Sequence, residues 1–198
     1  ALEEIVAARP DSVVIIDEAY VDFGAASVLP LVERYRNLMV VQTFSKSRAM
    51  AGARIGFAIA DEKIINYLKD VKFSFNSYTM NLPAIEMGTA AVLDDAYFRE
   101  TVGKIIRTRE WTKGELARLG LRFTDSKSNF LFAAHERIPA GELFAALKEN
   151  NIYVRHWERP RIDNYLRITI GTDREMGRLV SFLEKYIKER GNWQTRAR

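Results

Sequence analysis

The feature that most constrains the fold is an unbroken apolar run at residues 13–16, which ends directly in the acidic pair Asp17 and Glu18. Continuous runs rich in Val and Ile are typical of strands that are buried on both faces, as in a parallel sheet covered by helices. A second, mainly apolar run, LMVVQTF at residues 38–44, predicts another strand and follows the segment LPLVERY, in which we expect a short helix. This β-α-β order predicts an α/β fold built on a mostly parallel sheet.

A third strand is predicted at residues 53–60, and its direction should differ from that of the first two. It follows Ser45 too closely for a parallel crossover, which needs about a dozen residues or more. We therefore expect it to run antiparallel to its neighbour. The next segment, DEKIINYLKDV, predicts an amphipathic helix with Asp61 as its N-cap, because an aspartate side chain accepts hydrogen bonds from the free N–H groups at a helix start.

The second half of the chain has the pattern of a small α+β domain. A mostly helical stretch that continues to about residue 120 links it to the first half. Beyond this stretch, the sequence predicts strands at 129–134, near 152–155 and at 165–170, and helices at 140–150 and 173–190. We therefore expect a sheet-containing domain at 1–80, linking helices at 81–120 and a small α+β domain at 121–198.

Composition excludes several classes of protein. The chain has no cysteine, which removes disulfides and thiolate nucleophiles and fits a cytoplasmic location. Its charge of +4 comes from 30 basic and 26 acidic side chains that alternate along the helices, so no nucleic-acid partner is expected. No apolar stretch reaches the length of a membrane span, so no membrane partner is expected. With two histidines and no cysteine, no metal site is predicted.

The acidic pair Asp17 and Glu18 is the first candidate for a functional site. In an open α/β sheet, ligands bind in the crevice at the carboxyl ends of the strands, where this pair emerges. Two functional interpretations stay open at this point. The pair could be the Mg²⁺-associated residues of a P-loop nucleotide hydrolase, or it could supply a carboxylate that pairs with the cationic ring of a cofactor. A solvated pair at a strand end is the common alternative.

The second candidate site follows the second apolar run. Thr43, Ser45 and Lys46 come at its carboxyl end, and Arg54 follows eight residues after the lysine. Hydroxyl groups and a planar guanidinium suit a phosphate dianion, and lysine is the side chain that reacts with aldehydes. If the first two strands are neighbours, Lys46 lies beside Asp17. The combination indicates a phosphate-binding site with an amine inside it.

Three sequence motifs resemble one family of enzymes. VVIIDEAYVDF and TFSKSRAMAGARIGFAIA resemble the two central motifs of the histidinol-phosphate aminotransferases, which are class I/II pyridoxal-phosphate enzymes of the aspartate aminotransferase fold type. YVRHWERPRIDNYLRITIGT resembles the C-terminal segment of that family, with its two substrate-facing arginines. The resemblance extends to about residue 190. It implies the C-terminal half of the large, cofactor-binding domain, with one antiparallel strand in a mostly parallel sheet, plus a small α+β C-terminal domain.

The resemblance also implies roles for the residues around the cofactor, pyridoxal 5'-phosphate. Lys46 would bind the cofactor covalently and later move a proton between the cofactor and the α-carbon of the substrate. Asp17 would keep the pyridine nitrogen protonated, and Tyr20 would donate a hydrogen bond to the phenolic oxygen of the ring. Ser45 and Arg54 would bind the cofactor phosphate.

Three further residues have implied roles in binding phosphate or substrate. Thr43 would assist in binding the cofactor phosphate. Arg167 would bind the carboxylate of the amino-group donor, and Arg155 would bind the phosphate of the substrate. The resemblance further implies a cytoplasmic homodimer that acts on a small amino-acid or phosphate substrate.

The implied activity is the exchange of an amino group between L-histidinol phosphate and 2-oxoglutarate, which gives imidazole acetol phosphate and glutamate in histidine biosynthesis. An aromatic aminotransferase and a phosphothreonine decarboxylase are related alternatives with the same fold. Two alternatives of other classes remain: a fragment of a P-loop nucleotide hydrolase, and a non-catalytic remnant that folds without a cofactor.

The chain resembles a little more than half of such an enzyme. The glycine-containing turn, the stacking aromatic ring and the Asn-Pro motif of the family all precede the Asp17 strand in that family, and the chain as given does not contain them. We therefore expect a truncated portion that is weakly active or inactive by itself, with an exposed edge on the strand at 13–16.

Overall fold

The computed structural model describes residues 1–196, and its contacts divide the chain into two compact units, Ala1–Val102 and Gly103–Arg198. Each unit contains its own β-sheet and its own apolar core. Among the described residues, no helix has both the length and the apolar character needed to cross a membrane.

The first unit is built on a three-stranded sheet in the order β1-β2-β3. Its strands are β1 (Val14–Asp17), β2 (Leu38–Thr43) and β3 (Gly56–Ala60). β1 and β2 are parallel, whereas β3 is antiparallel to β2. The connection between β2 and β3 was predicted to be too short for a parallel crossover, and the antiparallel third strand is confirmed.

Burial along β1 differs from the sequence-based expectation. Val14 and Ile16 pack with Val6 of helix α1 (Leu2–Ala7) and with the buried residues of β2, whereas Ile15 is 56% exposed. A strand buried on both faces was expected, but among residues 1–196 only one face of β1 is covered. β1 is also the outer strand of its sheet, so its exposed edge is as expected.

The helices of the first unit begin at polar caps. The Asp61 side chain accepts a hydrogen bond from Lys63 N at the start of α2 (Glu62–Phe75), so the predicted N-cap is confirmed. Asn81 caps α3 (Leu82–Leu93) in the same way by accepting from Ala84 N at 2.8 Å. The short helix expected in LPLVERY is only a 3₁₀ turn, at Leu29–Leu31, with a proline in its first turn. Proline has no N–H to donate and fixes its φ angle, so it favours such a turn.

The second unit is an antiparallel sheet covered on one face by helices. Helix α4 (Asp95–Arg118) leads into it and is followed by strands β4 (Leu121–Phe123) and β5 (Phe130–His135), helix α5 (Ala140–Glu149), strands β6 (Arg155–His156) and β7 (Leu166–Thr169), and helix α6 (Asp173–Arg196). The strand order is β4-β5-β7-β6, and all pairs are antiparallel. Of these strands, only β4 was not predicted.

One face of this sheet forms the core of the second unit. Leu131, Leu166 and Ile168 are each at most 1% exposed, and they pack against apolar residues of α5 and α6. Because side chains alternate along a strand, Arg167 projects to the face opposite Leu166 and Ile168. The sheet therefore holds arginine side chains on its face away from this core.

Candidate functional site

The sheet of the first unit brings the predicted site residues to one edge. Asp17 ends β1 and pairs with Val41 of the parallel β2, so both strands end at the same edge. Because β3 is antiparallel, its first residue, Gly56, pairs with Thr43 at the end of β2. Arg54, which precedes β3, therefore lies at the same edge as Asp17 and as Lys46, which follows β2. The juxtaposition predicted from the sequence is present in the backbone.

Lys46 lies on a tight turn directly after β2. The N–H of Ala49 donates to the Lys46 carbonyl at 3.1 Å, and the N–H of Met50 donates to the Phe44 carbonyl at 3.0 Å. The Nζ atom of Lys46 lies 5.4 Å from the centroid of the Tyr20 ring. The structure therefore brings the amine and the phenol of the predicted site together.

Asp17 has an exposed carboxylate with an available oxygen. Its Oδ1 accepts the N–H of Ala19 at 2.9 Å, which fixes the orientation of the carboxylate at the strand end. Within residues 1–196, no ion pair to Asp17 is formed. A carboxylate held in this way can accept a hydrogen bond from a ligand placed at the sheet edge.

Glu18, the neighbour of Asp17, has a structural role. It is 7% exposed, and it accepts hydrogen bonds from Ser27 Oγ at 2.7 Å, Val28 N at 2.7 Å and Gln42 Nε2 at 2.9 Å. These three donors satisfy the buried carboxylate and fix the chain at Ser27 and Val28 to the sheet. Of the two acidic residues, only Asp17 is available to a ligand.

The hydroxyl groups of Thr43 and Ser45 form a small network beside Lys46. A carbonyl can only accept, so Thr43 Oγ1 donates to the Ile55 carbonyl at 3.1 Å, and it accepts the N–H of Ser45 at 3.1 Å. Ser45 Oγ lies 3.0 Å from Thr43 Oγ1. The Thr43 hydroxyl is thus committed to holding the turn, and Ser45 carries the hydroxyl with hydrogen-bonding capacity to spare.

Arg54 has a strained backbone and an exposed side chain. Its φ angle of 56° lies in the left-handed region, which costs a non-glycine residue about 1–2 kcal/mol. Its Nη1 donates to the Ala51 carbonyl at 2.8 Å, and within the described part of the chain no carboxylate neutralises its charge. The guanidinium therefore retains donors that suit an anion such as phosphate.

Taken together, the residues at this edge fit an anionic, aldehyde-bearing ligand better than a metal ion. They offer an amine, a carboxylate, a phenol, hydroxyls and a guanidinium, which are the groups needed to bind an aldehyde carbon, a basic ring nitrogen and a phosphate. Among residues 1–196, no group of three or more histidine, aspartate or glutamate side chains is arranged to hold a metal ion.

The two arginines predicted to face substrate lie together in the second unit. Arg155 and Arg167 are directly paired across β6 and β7, so their side chains project from the same face of the sheet. The Arg167 guanidinium lies 4.5 Å from the centroid of the Phe130 ring, and its Nε is buried with no hydrogen-bond partner in the described residues. Arg155 lies 5.4 Å from the Trp157 ring. Aromatic contacts orient both cations without neutralising them.

Two residues that the sequence analysis did not assign hold the Lys46 turn in place. Ser47 is 6% exposed and donates to the carboxylate of Asp22. Arg48 lies over the rings of Phe44 and Phe98. Both residues belong to the motif that contains Lys46, but Asp22 and Phe98 are distant from it in sequence, so the motif gave no sign of these two contacts.

Comparison with protein families and curated sequences identifies relatives over nearly the whole chain. A family described as aminotransferase class I and II matches residues 1–183. The histidinol-phosphate aminotransferase of Lactococcus lactis subsp. cremoris is 52% identical over 189 residues, which cover 96% of this chain and 53% of that protein. The chain therefore spans about half the length of the curated relatives it matches.

Solved structures show the same fold. The histidinol-phosphate aminotransferase of Sinorhizobium meliloti, in complex with pyridoxal-5'-phosphate, matches 94% of this chain and 53% of that chain with a TM-score of 0.78 and 23% identity. The L-threonine-O-3-phosphate decarboxylase of Porphyromonas gingivalis matches 94% of this chain and 58% of that chain with a TM-score of 0.79 and 24% identity. These likenesses confirm the predicted fold class. Together with the family match over residues 1–183, they lead to one conclusion: the chain belongs to the class I and II aminotransferases.

Proposed function

We propose that this chain is the lysine-bearing and substrate-binding portion of a pyridoxal-phosphate-dependent aminotransferase that acts on L-histidinol phosphate. The observation that carries the proposal is the convergence of Asp17, Tyr20, Lys46 and Arg54 at one sheet edge, with Lys46 Nζ 5.4 Å from the Tyr20 ring. The 52% identity to the Lactococcus lactis enzyme supports the choice of substrate.

The residues of the sheet edge fit pyridoxal 5'-phosphate. This cofactor supplies an aldehyde that binds amines and a protonated ring that withdraws electrons from the α-carbon of the bound substrate. Lys46 would hold the aldehyde carbon through Nζ, with release of water, and would move the proton at the substrate α-carbon. Asp17 would accept a hydrogen bond from the protonated ring nitrogen through its available oxygen, and Tyr20 would donate one to the phenolic oxygen of the ring.

Ser45 and Arg54, assisted by Thr43, would bind the phosphate of the cofactor. The Ser45 hydroxyl can form a further hydrogen bond besides its contact with Thr43 Oγ1. Arg54 has N–H donors besides the Nη1 group that binds the Ala51 carbonyl. Thr43 contributes mainly by holding the turn through its bonds to Ser45 and Ile55. These contacts fix the cofactor relative to Lys46.

The two paired arginines of the second unit bind the substrates. Arg167, oriented by the Phe130 ring, forms a bidentate pair with the carboxylate of glutamate. Arg155, oriented by the Trp157 ring, binds the phosphate of histidinol phosphate. The reaction exchanges the amino group between histidinol phosphate and 2-oxoglutarate, giving imidazole acetol phosphate and glutamate, as a step of histidine biosynthesis.

At the level of organisation, we assign residues 1–80 to the cofactor-binding domain, 81–120 to linking helices and 121–198 to the small domain. The enzyme acts as a homodimer in the cytoplasm. The bound partners are small molecules, and neither nucleic acid nor membrane is among them.

A phosphothreonine decarboxylase is the second candidate function, because the Porphyromonas gingivalis decarboxylase has the same fold with a TM-score of 0.79. Both substrates carry a phosphate and an amino group. They differ in that phosphothreonine also carries the carboxylate that leaves as CO₂. Amino transfer and CO₂ release therefore separate the two functions.

The test is a single-turnover assay on the chain loaded with pyridoxal phosphate, since steady-state turnover is expected to be weak. Histidinol phosphate, phenylalanine and phosphothreonine are each added, and loss of the cofactor's visible absorption is followed together with released CO₂. We expect histidinol phosphate to react faster than phenylalanine without CO₂ release. Replacing Arg155 by Gln should weaken the interaction with histidinol phosphate by about 2–3 kcal/mol and so remove this preference. Lys127→Gln should leave the preference unchanged. CO₂ release from phosphothreonine, or a preference for phenylalanine, would contradict the proposal.

A further inference from the structure

The turn that carries Lys46 is strained and depends on contacts outside itself. Ala49, which closes the turn through its hydrogen bond to the Lys46 carbonyl, has a φ angle of 54°. This is the left-handed region, which L-residues with a side chain rarely adopt, so the conformation persists only where the surrounding structure holds it. Two residues between Lys46 and Ala49 bind partners outside the turn. Ser47 donates to Asp22, and Arg48 makes the contacts described next.

The guanidinium of Arg48 contacts two aromatic rings. Its Cζ is 4.2 Å from the ring centroid of Phe98 in α4 and 5.4 Å from that of Phe44 at the end of β2. Phe44 is 8% exposed and packs with Ile55 and Ala84 in a small core cluster. The guanidinium thus links the end of β2 to the start of α4.

The same guanidinium also caps helix α3. Arg48 Nη1 donates to the carbonyl of Ala91, in the last turn of α3 (Leu82–Leu93). The last carbonyls of a helix have no partner within the helix, and they form the negative end of its dipole. Among residues 1–196, no carboxylate pairs with Arg48. Its charge is therefore balanced by the helix end and the aromatic faces, which are fixed in place.

We propose that Arg48 is a positioning residue for Lys46: by binding the end of α3 and the Phe98 ring, it holds the strained turn that directs the Lys46 amine toward Tyr20. The inference rests on the proposed function, in which Lys46 binds the cofactor. Its guanidinium is bound to Ala91 and lies over Phe98, so Arg48 acts on Lys46, two residues earlier in the chain, through the backbone of the turn.

The test compares Arg48→Met, which keeps length but removes charge and donors, with Arg48→Lys, which keeps charge but has no planar group to stack. Arg9→Met is the matched control, because Arg9 is exposed and lies on the loop after α1. Hydrogen exchange in the chain without cofactor is measured at the amides of Ala49 and Met50, whose N–H groups close the turn. We expect exchange there to quicken about tenfold in Arg48→Met, less in Arg48→Lys and not in Arg9→Met.

A second readout follows the function of the turn. After addition of pyridoxal phosphate and reduction with borohydride, peptide mapping gives the concentration that half-saturates Lys46. We expect this concentration to rise in Arg48→Met and to recover partly in Arg48→Lys. A uniform increase of exchange across β1 and α2 as well would show a role in global stability only and would overturn the proposal, as would wild-type exchange in Arg48→Met.

Two contingencies keep the test decisive. If Arg48→Met fails to fold by circular dichroism, Arg48→Lys decides, and wild-type exchange at Ala49 and Met50 in that variant overturns the proposal. If the unaltered chain shows no selective labelling of Lys46, the proposed function fails. The exchange comparison does not use the cofactor, so its outcome still supports or overturns the role of Arg48 in holding the turn.

Discussion

His135 is a buried histidine whose pKa is shifted by its surroundings. It is 5% exposed, and its Nδ1 accepts the N–H groups of Arg137 at 3.2 Å and Ile138 at 3.0 Å. Burial, with a smaller contribution from the charge of Arg137, lowers the pKa of His135 below its ordinary value of 6.5. Protonating Nδ1 would also remove the acceptor for both N–H groups.

This lowered pKa predicts a pH-dependent stability. Between the folded and unfolded pKa values, the unfolded chain binds a proton that the folded chain does not, so the free energy of unfolding increases with pH in that window. The His135 contribution is fully present above about pH 7.5 and is lost as the pH falls through 6.5 toward the lower folded value. Urea denaturation of the chain and of His135→Asn between about pH 5.5 and 7.5 measures it. If the free energy of unfolding changes with pH equally in both proteins, His135 is not the source of the pH dependence.

The pair Asp17 and Glu18 shows what sequence can predict at the scale of a residue. Both acids are polar, adjacent and at a strand end, so sequence predicts a site without distinguishing them. Glu18 is committed by Ser27, Val28 and Gln42, whose positions in the chain are 9, 10 and 24 residues away. Contacts at such separations depend on the fold, and only the structure shows that Asp17 is the available carboxylate.

At the scale of an element, the end of α4 depends on one glycine. Gly120 has a φ angle of 79° and donates to the Ala117 carbonyl at 3.0 Å, which lets the chain turn sharply into β4. An alanine there would have its Cβ 3.4 Å from His135 Nε2, so the strain comes from the backbone and not from a clash. Gly120→Ala should lower the free energy of unfolding by about 1 kcal/mol.

Gly114, in the interior of the same helix, is the matched control. A Cβ at Gly114 would meet nothing within 4 Å, and alanine is the better helix former, so Gly114→Ala should raise the free energy of unfolding by up to about 1 kcal/mol. Opposite signs for the two variants in urea denaturation are expected. A neutral or stabilising Gly120→Ala would contradict the role given to its left-handed backbone.

The elements that sequence predicted correctly are those with local signals. Asp61 caps α2 because an N-cap depends on the next few residues only. β4 was missed, since three residues, Leu121–Phe123, are too few to show an alternating pattern. The LPLVERY segment was expected to form a short helix. Pro30 and the hydrogen bond from Val28 N to the Glu18 carboxylate restrict it to one 3₁₀ turn. Tertiary contacts decided that element.

At the scale of the whole molecule, a sheet in each half of the chain and the antiparallel direction of β3 could be predicted, whereas the strand order of the second sheet and the burial of β1 could not. The Val and Ile run at 13–16 was expected to be buried on both faces, yet Ile15 is 56% exposed among the described residues. The position of Asp17 and Lys46 at one edge followed from the parallel direction of β1 and β2, because parallel strands end together, and that of Arg54 followed from the antiparallel direction of β3. Their chemical roles remain predictions.

The most direct test of the central claim is the labelling of Lys46 by pyridoxal phosphate. The chain is titrated with the cofactor, reduced with borohydride and mapped by mass spectrometry, in parallel with Lys46→Ala and with Lys63→Ala, a matched exposed lysine on α2. We predict saturable labelling at Lys46 that persists in Lys63→Ala and disappears in Lys46→Ala. Diffuse labelling of several lysines that Lys46→Ala leaves unchanged would contradict the claim that this sheet edge binds the cofactor.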